Sequence, residues 1–482
     1  QVSDPMENPS SPAAVATEPA EFVVPPSQRQ LFLDDHGVAR MENLRRTMHQ
    51  PVKRGAVIRS PNPRQTIQTR TAPVWDPEAK LYKLWVLGID QNLWQSPDGL
   101  HWTPGPKTNM DIRMVVYDAQ DPDPSRRFKA PLLNQGFVVS ADGVQWKKLD
   151  LEKIPSSDEG NFSLDVENGL FIHTVKRGSG TGRALALATS RDFKAWHDLG
   201  IVFQSDQLDQ ELGKANIKAR MADPTLHRPP YNDPAVYNVD VYNMGVFLYE
   251  GIFIGMPTVF HHTGKVSKDW YGFDKINLSP YISGLVQAHG DYTGFHHVQL
   301  VCSRDLRNWI RLGERKPFID TSPLGGGAYD TQTMRGPSSP LERGDELWFY
   351  YTGYKQYAFI SSGNDPSYED YMPDAGAVCL AVLRRDGFMS LDADGQEGTL
   401  LTQPFKVNGK ELFLNLDVEG GELSVEILSL NGAPLATSTN IRGNHTAIQI
   451  QWKEGKLAEL LGQKVYLRIN LRQTQLYSYW FD

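Results

Sequence analysis

The chain has 482 residues, of which 40% are hydrophobic and 22% charged, and it carries a formal net charge of −8. That length exceeds one ordinary core, so two to four units are expected unless a repeat architecture makes one large domain. No apolar run reaches the ~18–20 residues that span a bilayer. The acidic balance argues against a nucleic-acid partner, while leaving room for local basic pockets.

Residues 1–27 are rich in Pro, Ser, Ala and acids, as a flexible leader is. Beyond them a short motif recurs. SPDGLHW (96–102), SADGVQW (140–146), SRDFKAW (190–196) and SRDLRNW (303–309) align without gaps, and a degenerate fifth copy, RRDGFMS, keeps Asp386 in register. Each copy follows a short apolar run such as GFVVS or ALALATS. Ser and Asp accept backbone N–H bonds in tight turns, Gly at the next position tolerates positive φ, and the Trp packs back between sheets. Repetition of this unit predicts an all-β fold, a five-bladed β-propeller spanning 28–398. The 41 Gly, 32 Pro and 10% aromatic residues suit a turn-rich β protein. The gap between Ser190 and Ser303 is more than twice that between Ser96 and Ser140, and its excess (203–235) is Pro- and charge-rich. It reads as an extended loop over one face. From 399 to 482 the alternating runs ELFLNLDV, ELSVEILSL, TAIQIQW, KVYLRINL and LYSYWF predict a C-terminal β-sandwich. The two cysteines, Cys302 and Cys379, each lie in an apolar run and read as buried free thiols.

Inner strands of a propeller surround a funnel, so acids on them converge. Asp111 opens the second-blade strand, Asp158 and Asp165 flank the third, Asp240 lies in the fourth with Glu250 at its far end, and Asp330 opens the fifth. One acid near a strand end is usually a solvated turn residue, whereas several blades each supplying one suggest a shared site. The aspartates of the repeat itself (Asp98, Asp142, Asp192, Asp305) belong to outer turns and are set aside. Histidines cluster at His261 and His262 and in AHGDYTGFHH, which holds His289, His296 and His297. Adjacent histidines on a strand face opposite ways, so at most one of each pair reaches the funnel. Their spacing specifies no zinc site, and neither a metal nor a cofactor is expected. His289 or His296 suits a sugar contact, and Arg70, Arg228 and Arg335 suit a clamp for an acidic or sulfated sugar.

Several segments carry a family resemblance: LFLDDHGVARMENLRRTMHQP, DPDPSRRFKA, DEGNFSLDVENGLFIHTVKRG, YEGIFIG, CSRDLRNWIRLGERKPFID, AYDTQTM, DELWFYYTGY and LRRDGFMSLDADGQEGTLLTQPF. In these the chain, from about residue 30, resembles secreted bacterial proteins common in planctomycetes and Bacteroidetes, the glycosyl-hydrolase-like five-bladed propellers. More distantly it resembles invertase-like and arabinanase-like hydrolases, which use carboxylates from separate blades. The resemblance implies that Asp158, Asn161, Asp240 and Asp330 occupy polar funnel positions. It also implies a secreted, periplasmic or outer-surface bacterial lipoprotein. Relatives carry a Trp-Glu pair where this chain has NPRQ (62–65), so a first-blade acid is missing.

The expectation is an exo-acting glycoside hydrolase on a plant or algal poly- or oligosaccharide, with a carboxylate pair at its centre. Asp330 and Asp240 are the expected acid/base pair, Glu250 the spare acid, and Asp158 a group that orients or tunes a partner. Asp111, Asn161, His289, His296, Arg70 and Arg335 are expected to bind substrate. Two rival readings are a non-catalytic glycan-binding propeller and a uronate lyase using His289, Tyr292 and Arg335.

Overall fold

The computed structural model describes residues 21–229, 231–267, 269, 280–355 and 374–482. Five antiparallel sheets, each carrying a four-strand meander, form the propeller. The first blade runs Gln68–Thr69, Leu81–Leu87, Leu93–Ser96, Thr103–Pro104, and the second Val116–Tyr117, Phe128–Leu132, Gly136–Ser140, Trp146–Lys148. The third runs Gly160–Asp165, Leu170–Ser179, Gly182–Ser190, His197–Phe203. In the fourth, Asn238–Tyr249 and Ile252–Val266 form an overlong hairpin, followed by Val301–Ser303 and Ile310–Arg311, with Asp291–Val298 added along the extension. The fifth takes Thr333–Arg335, Glu346–Tyr354 and Gly376–Arg384 from late in the chain and Val52–Arg59 from its start. Pairing of the early strand to the late blade closes the ring and leaves few open sheet edges.

The repeat turns work as their chemistry dictates. Asp98 Oδ1 accepts from the backbone N–H groups of Leu100 and His101, both at 2.8 Å. Asp142, Asp192 and Asp305 make the same pair of bonds. The residue after each Asp is left-handed: Gly99 and Gly143 at φ +79° and +75°, Phe193 and Leu306 at +56° and +64°. Glycine takes that conformation freely, whereas Phe and Leu hold it against a steric cost that the surrounding core offsets. Phe193 is fully buried in that core.

Each turn also receives a side chain from the preceding blade. Tyr350 Oη donates to the Gly99 carbonyl at 2.7 Å and Trp85 Nε1 to the Gly143 carbonyl at 3.0 Å. Phe137 stacks on Trp196 at 4.5 Å, and Phe203 meets Trp309 edge-on at 6.5 Å. At the fifth turn Tyr249 Oη donates to Asp386 Oδ1 at 2.6 Å. The degenerate copy has thus changed its task. Asp386 is fully buried, and its Oδ2 accepts from Arg29 Nη1 and Ser478 Oγ (both 2.6 Å) and from Asn415 Nδ2 (3.1 Å). One carboxylate thereby joins the fourth blade, the N-terminal segment and the C-terminal sheet.

That sheet has twelve strands and curls around its own core of Leu, Val and Ile side chains. Its long strand Leu412–Leu428 pairs with Thr474–Phe481 through its first half and with Lys464–Arg472 through its second. The sheet also recruits Gln30–Leu31, Val38–Glu42 and Arg45–Met48, together with Met389–Ala393. Residues 28–48, expected in the propeller, therefore hydrogen-bond into the C-terminal sheet. Cys302 and Cys379 are buried free thiols. Among the described residues no helix is long and apolar enough to cross a membrane.

The stretch expected to be a loop between 203 and 235 contains helix α1, Gln207–Ala222. Asp206 caps it, accepting from Asp209 N at 3.0 Å while Asp209 Oδ2 accepts from Asp206 N at 2.9 Å, a reciprocal capping box. Arg311 and Arg315, at the rim of the fourth blade, hold these two carboxylates. At the other end Arg220 donates to the Thr331 carbonyl beside the fifth blade's inner strand. The helix thus runs from rim toward axis. A Cβ on Gly213 would stand 2.2 Å from Val239 Cγ2, so only glycine permits this approach. Gly213→Ala is expected to cost about 1–3 kcal/mol by overpacking, read as a lowered denaturation midpoint.

Glu250 occupies the tight turn of the overlong hairpin, where it and Gly251 are both left-handed (φ +49° and +80°). Its carboxylate accepts from Arg29 N at 2.8 Å. Burial raises its pKa from 4.5 to about 7, Asp386 adds to this, and Arg29 and Arg385 oppose it. The folded chain therefore holds this proton more tightly than the unfolded chain. The resulting stability is complete below about pH 4.5 and is lost as pH rises through about 7. Glu250→Gln is expected to flatten this stretch of the stability–pH profile and to raise the melting temperature at pH 8, as a thermal series from pH 5 to 8 would show.

Candidate active site

The funnel is plugged at its centre by a buried polar cluster drawn from four blades. Arg70, entering from the first blade, donates from Nε and Nη2 to both Glu159 oxygens at 2.5 and 2.6 Å. Arg335 of the fifth blade lies 3.9 Å from Glu159 Oε1 and 3.9 Å over the Tyr242 ring. Burial alone would raise the Glu159 carboxyl, but the Arg70 guanidinium overrides it and holds Glu159 below the usual range. Below this pair Asn161 Nδ2 donates to Ser338 Oγ at 2.9 Å, Ser338 to the Arg70 carbonyl at 2.7 Å, and Asn243 Nδ2 to Asn161 Oδ1 at 3.2 Å. The cluster makes the axis a packed core rather than a pore.

Above it, between the third and fourth blades, opens a pocket of ≈ 770 Å³ lined by Asp158, Lys176, Arg183, Asp240, Tyr242, His262 and Tyr292 among others. The pairing of Asn238–Tyr249 with Ile252–Val266 explains who faces it. Asp240 stands opposite Phe260, and Asn238 opposite His262, so these four share one face. Val239 and His261 take the other, toward α1, where His261 Nε2 meets Asn216 Nδ2 at 3.2 Å. A bulge between Val241 and Asn243 lets Tyr242 face the pocket while Asn243 reaches Asn161.

Asp240 is buried. Its Oδ2 lies 3.1 Å from both Arg183 N and Arg183 Nη1, and its Oδ1 lies 3.0 Å from His262 Nε2. Burial pushes its pKa up; His262 and then Arg183 more than cancel this, leaving it lowered. Asp158 has a side chain 74% exposed and pairs with Lys176 Nζ at 2.7 Å. Its partial burial is likewise outweighed, here by the Lys176 ammonium, and its pKa is lowered. Asp158 also lines an adjoining pocket of ≈ 490 Å³ with Asp111, Arg113 and Lys148. It therefore marks the boundary between the two hollows.

The acid/base pair expected from Asp240 and Asp330 is not formed. Asp330 packs inside the fifth blade, against Lys53 Nζ (2.8 Å) and Tyr351 Oη (2.8 Å), and lines neither pocket. Glu250 is ten residues from Asp240 along one strand, about 30 Å at ~3.3 Å per residue, and so lies at the opposite face. Asp111 is exposed and pairs with Arg113 at 3.1 Å. His296 is fully buried, stacked on Phe260 at 4.3 Å and edge-on to Tyr242 at 5.2 Å. Burial pushes its pKa well below the ordinary value. His289 ends helix α2, Pro280–His289, and its side chain is outside the described residues. Arg228 is exposed. Arg70, Arg335 and Asn161 do converge on the funnel, as members of the buried cluster. Among the described residues no group of three or more His, Cys, Asp or Glu side chains is placed to hold a metal ion.

Glu159, Lys176 and Arg183 were missed in the sequence. Glu159 adjoins Asp158 just before the strand Gly160–Asp165, and it is buried against Arg70 while Asp158 lines the pocket. Lys176 and Arg183 belong to the hairpin VKRGSGTGR, whose charges read as a solvated turn.

No protein-family model matches the chain, and no curated protein matches it. Solved structures similar to it include one named only as a glycoside hydrolase, at 10% identity and TM-score 0.38, covering 70% of this chain and 92% of that one. A Bombyx mori GH32 beta-fructofuranosidase aligns at 9% identity and TM-score 0.36, covering 90% and 94%. A thermostable family-43 glycoside hydrolase aligns at 12% identity and TM-score 0.36, covering 68% and 93%.

Proposed function

We propose that this protein is an exo-acting glycoside hydrolase whose terminal sugar enters the ≈ 770 Å³ pocket between the third and fourth blades. The observation that carries the reading is the place of Asp158, the one exposed carboxylate shared by that pocket and its ≈ 490 Å³ neighbour. A sugar chain threading both hollows passes its glycosidic bond over Asp158. The overlong hairpin of the fourth blade walls the far side, which favours attack at a chain end. Asp158, kept ionised by Lys176, serves as base or nucleophile.

Asp158 and Asp240 are both held ionised, so another group donates the proton. His262 fits that role, with its Nε2 3.0 Å from Asp240 Oδ1 and 3.2 Å from Arg183 Nη1. Asp240 then acts as a positioning residue that fixes the imidazole. Asp240→Asn is expected to displace the pH profile of kcat as well as lower it, whereas a purely structural role would leave the profile in place.

A panel of plant and marine oligosaccharides assayed for released reducing sugar tests the proposal; no release from any member would refute it. A second reading is elimination from a uronate. It is favoured by Tyr292, whose ring lies 5.4 Å from that of His262 and 5.3 Å from Arg183 Cζ. An unsaturated product absorbing in the ultraviolet would decide for it.

A further inference from the structure

Tyr242 sits at the bulge of the fourth blade's first strand, where the pocket meets the buried cluster. Its ring is tightly held. Lys176 Nζ lies 4.0 Å and Arg335 Cζ 3.9 Å from the ring centroid, and His296 meets the ring edge-on at 5.2 Å. Both cations are themselves anchored, Lys176 to Asp158 at 2.7 Å and Arg335 beside Glu159 at 3.9 Å. The polar groups around the ring are paired as well: Asp240 is held by Arg183 and His262, and Asp158 by Lys176. The Tyr242 hydroxyl differs from them. It bonds to none of the described residues, and it is not sealed off from the pocket. The residue is only 7% exposed, and a phenol set this deep ordinarily has a hydrogen-bond partner.

Resting on the reading that a saccharide occupies this pocket, we infer that Tyr242 is a specificity-determining residue, its phenol donating a hydrogen bond to one hydroxyl oxygen of the sugar bound at the pocket floor. Burial raises the phenol's pKa against the opposing pull of Arg335, so the group keeps its proton and remains a donor. A ring already fixed by its neighbours loses little freedom when the sugar arrives. It also offers its proton in one place, so a sugar is selected by whether it sets an oxygen there. A site that bonds one substrate hydroxyl discriminates strongly against the analogue lacking it.

Tyr242→Phe tests this cleanly, because it keeps the ring and its cation contacts and removes only the hydroxyl. Monosaccharides contain no glycosidic bond, so their binding is read without turnover. The full chain would be titrated with galactose, glucose, mannose, xylose, fucose and galacturonate, and each sugar that binds would be repeated as its monodeoxy analogues. Tyr242→Phe is expected to bind such a sugar about 5–15-fold more weakly than the wild type, with an unchanged melting temperature. One monodeoxy analogue, the one lacking the contacted hydroxyl, should bind the two proteins within about twofold of each other, while the remaining analogues keep the difference. A hydroxyl with a purely structural role would lower the melting temperature and leave the order of the analogues as it was. Binding of no sugar by the wild type, equal binding by the two proteins, or the same loss for every analogue would overturn the inference. Sugars that bind with the expected pattern while oligosaccharides built from them stay intact would instead refute the hydrolase reading and leave this inference standing.

Discussion

Glu159→Gln is expected to lower the unfolding free energy by about 3–5 kcal/mol, the cost of leaving a buried charge without its partner. Arg70 is 4% exposed and gives two of its donors to the Glu159 carboxylate, with Arg335 close behind. A neutral amide returns one hydrogen bond but not the charge, so two guanidinium groups would face each other across the funnel. Removing both members of the pair, as in Arg70→Met with Glu159→Leu, should recover part of the loss, because the desolvation cost of that pair disappears while Arg335 stays buried beside it. Denaturant midpoints of the single and double variants measure this directly. A single variant as stable as the wild type would mean that the cluster does not hold the blades together.

The second large effect concerns chemistry. Asp158→Asn is expected to reduce kcat by about 10²–10⁴-fold, the usual contribution of a positioned acid or base. Its side chain is 74% exposed and makes its ion pair at the surface of the pocket, so the variant should fold normally. His262→Gln should fall in the same range. Asp330→Asn should leave kcat near wild type while lowering stability, since Asp330 packs against Lys53 and Tyr351 inside its blade and lines neither pocket. Retention of full activity by Asp158→Asn would remove that residue from the mechanism.

The scaffold was more legible than the site, for a physical reason. Ser-x-Asp-x-x-x-Trp is a local device whose bonds close within a few residues, so each copy reports its own turn, and four copies report the blades. Helix α1 left a weak trace because it docks without an apolar stripe. Its inner side offers Gly213 and Ile217 to the blade, and the remaining contacts are polar, from Gln210 to Val239, Asn216 to His261 and Arg220 to Thr331. The strands at 30–48 pair with partners hundreds of residues away, which no local pattern records.

The catalytic expectations separated along the same line. Asp158, just before the third blade's first strand, and Asp240, on the pocket face of the fourth blade's first strand, both line one pocket. Asp330 also lies beside an inner strand, yet it faces the inside of its own blade. Glu250 has the raised pKa expected of a proton donor, but the length of its hairpin carries it to the other face. Burial and charge do not record this placement; the pocket's lining includes Asp240 and not Glu250.

The most direct test follows the cleavage of plant and marine oligosaccharides labelled at one end, resolving products over time for the wild type and Asp158→Asn. Hydrolysis in the pocket between the third and fourth blades predicts saturated products shortened one sugar at a time, formed by the wild type and reduced at least 100-fold in the variant. Unsaturated products, products cut at random along the chain, or equal turnover by the two proteins would contradict it.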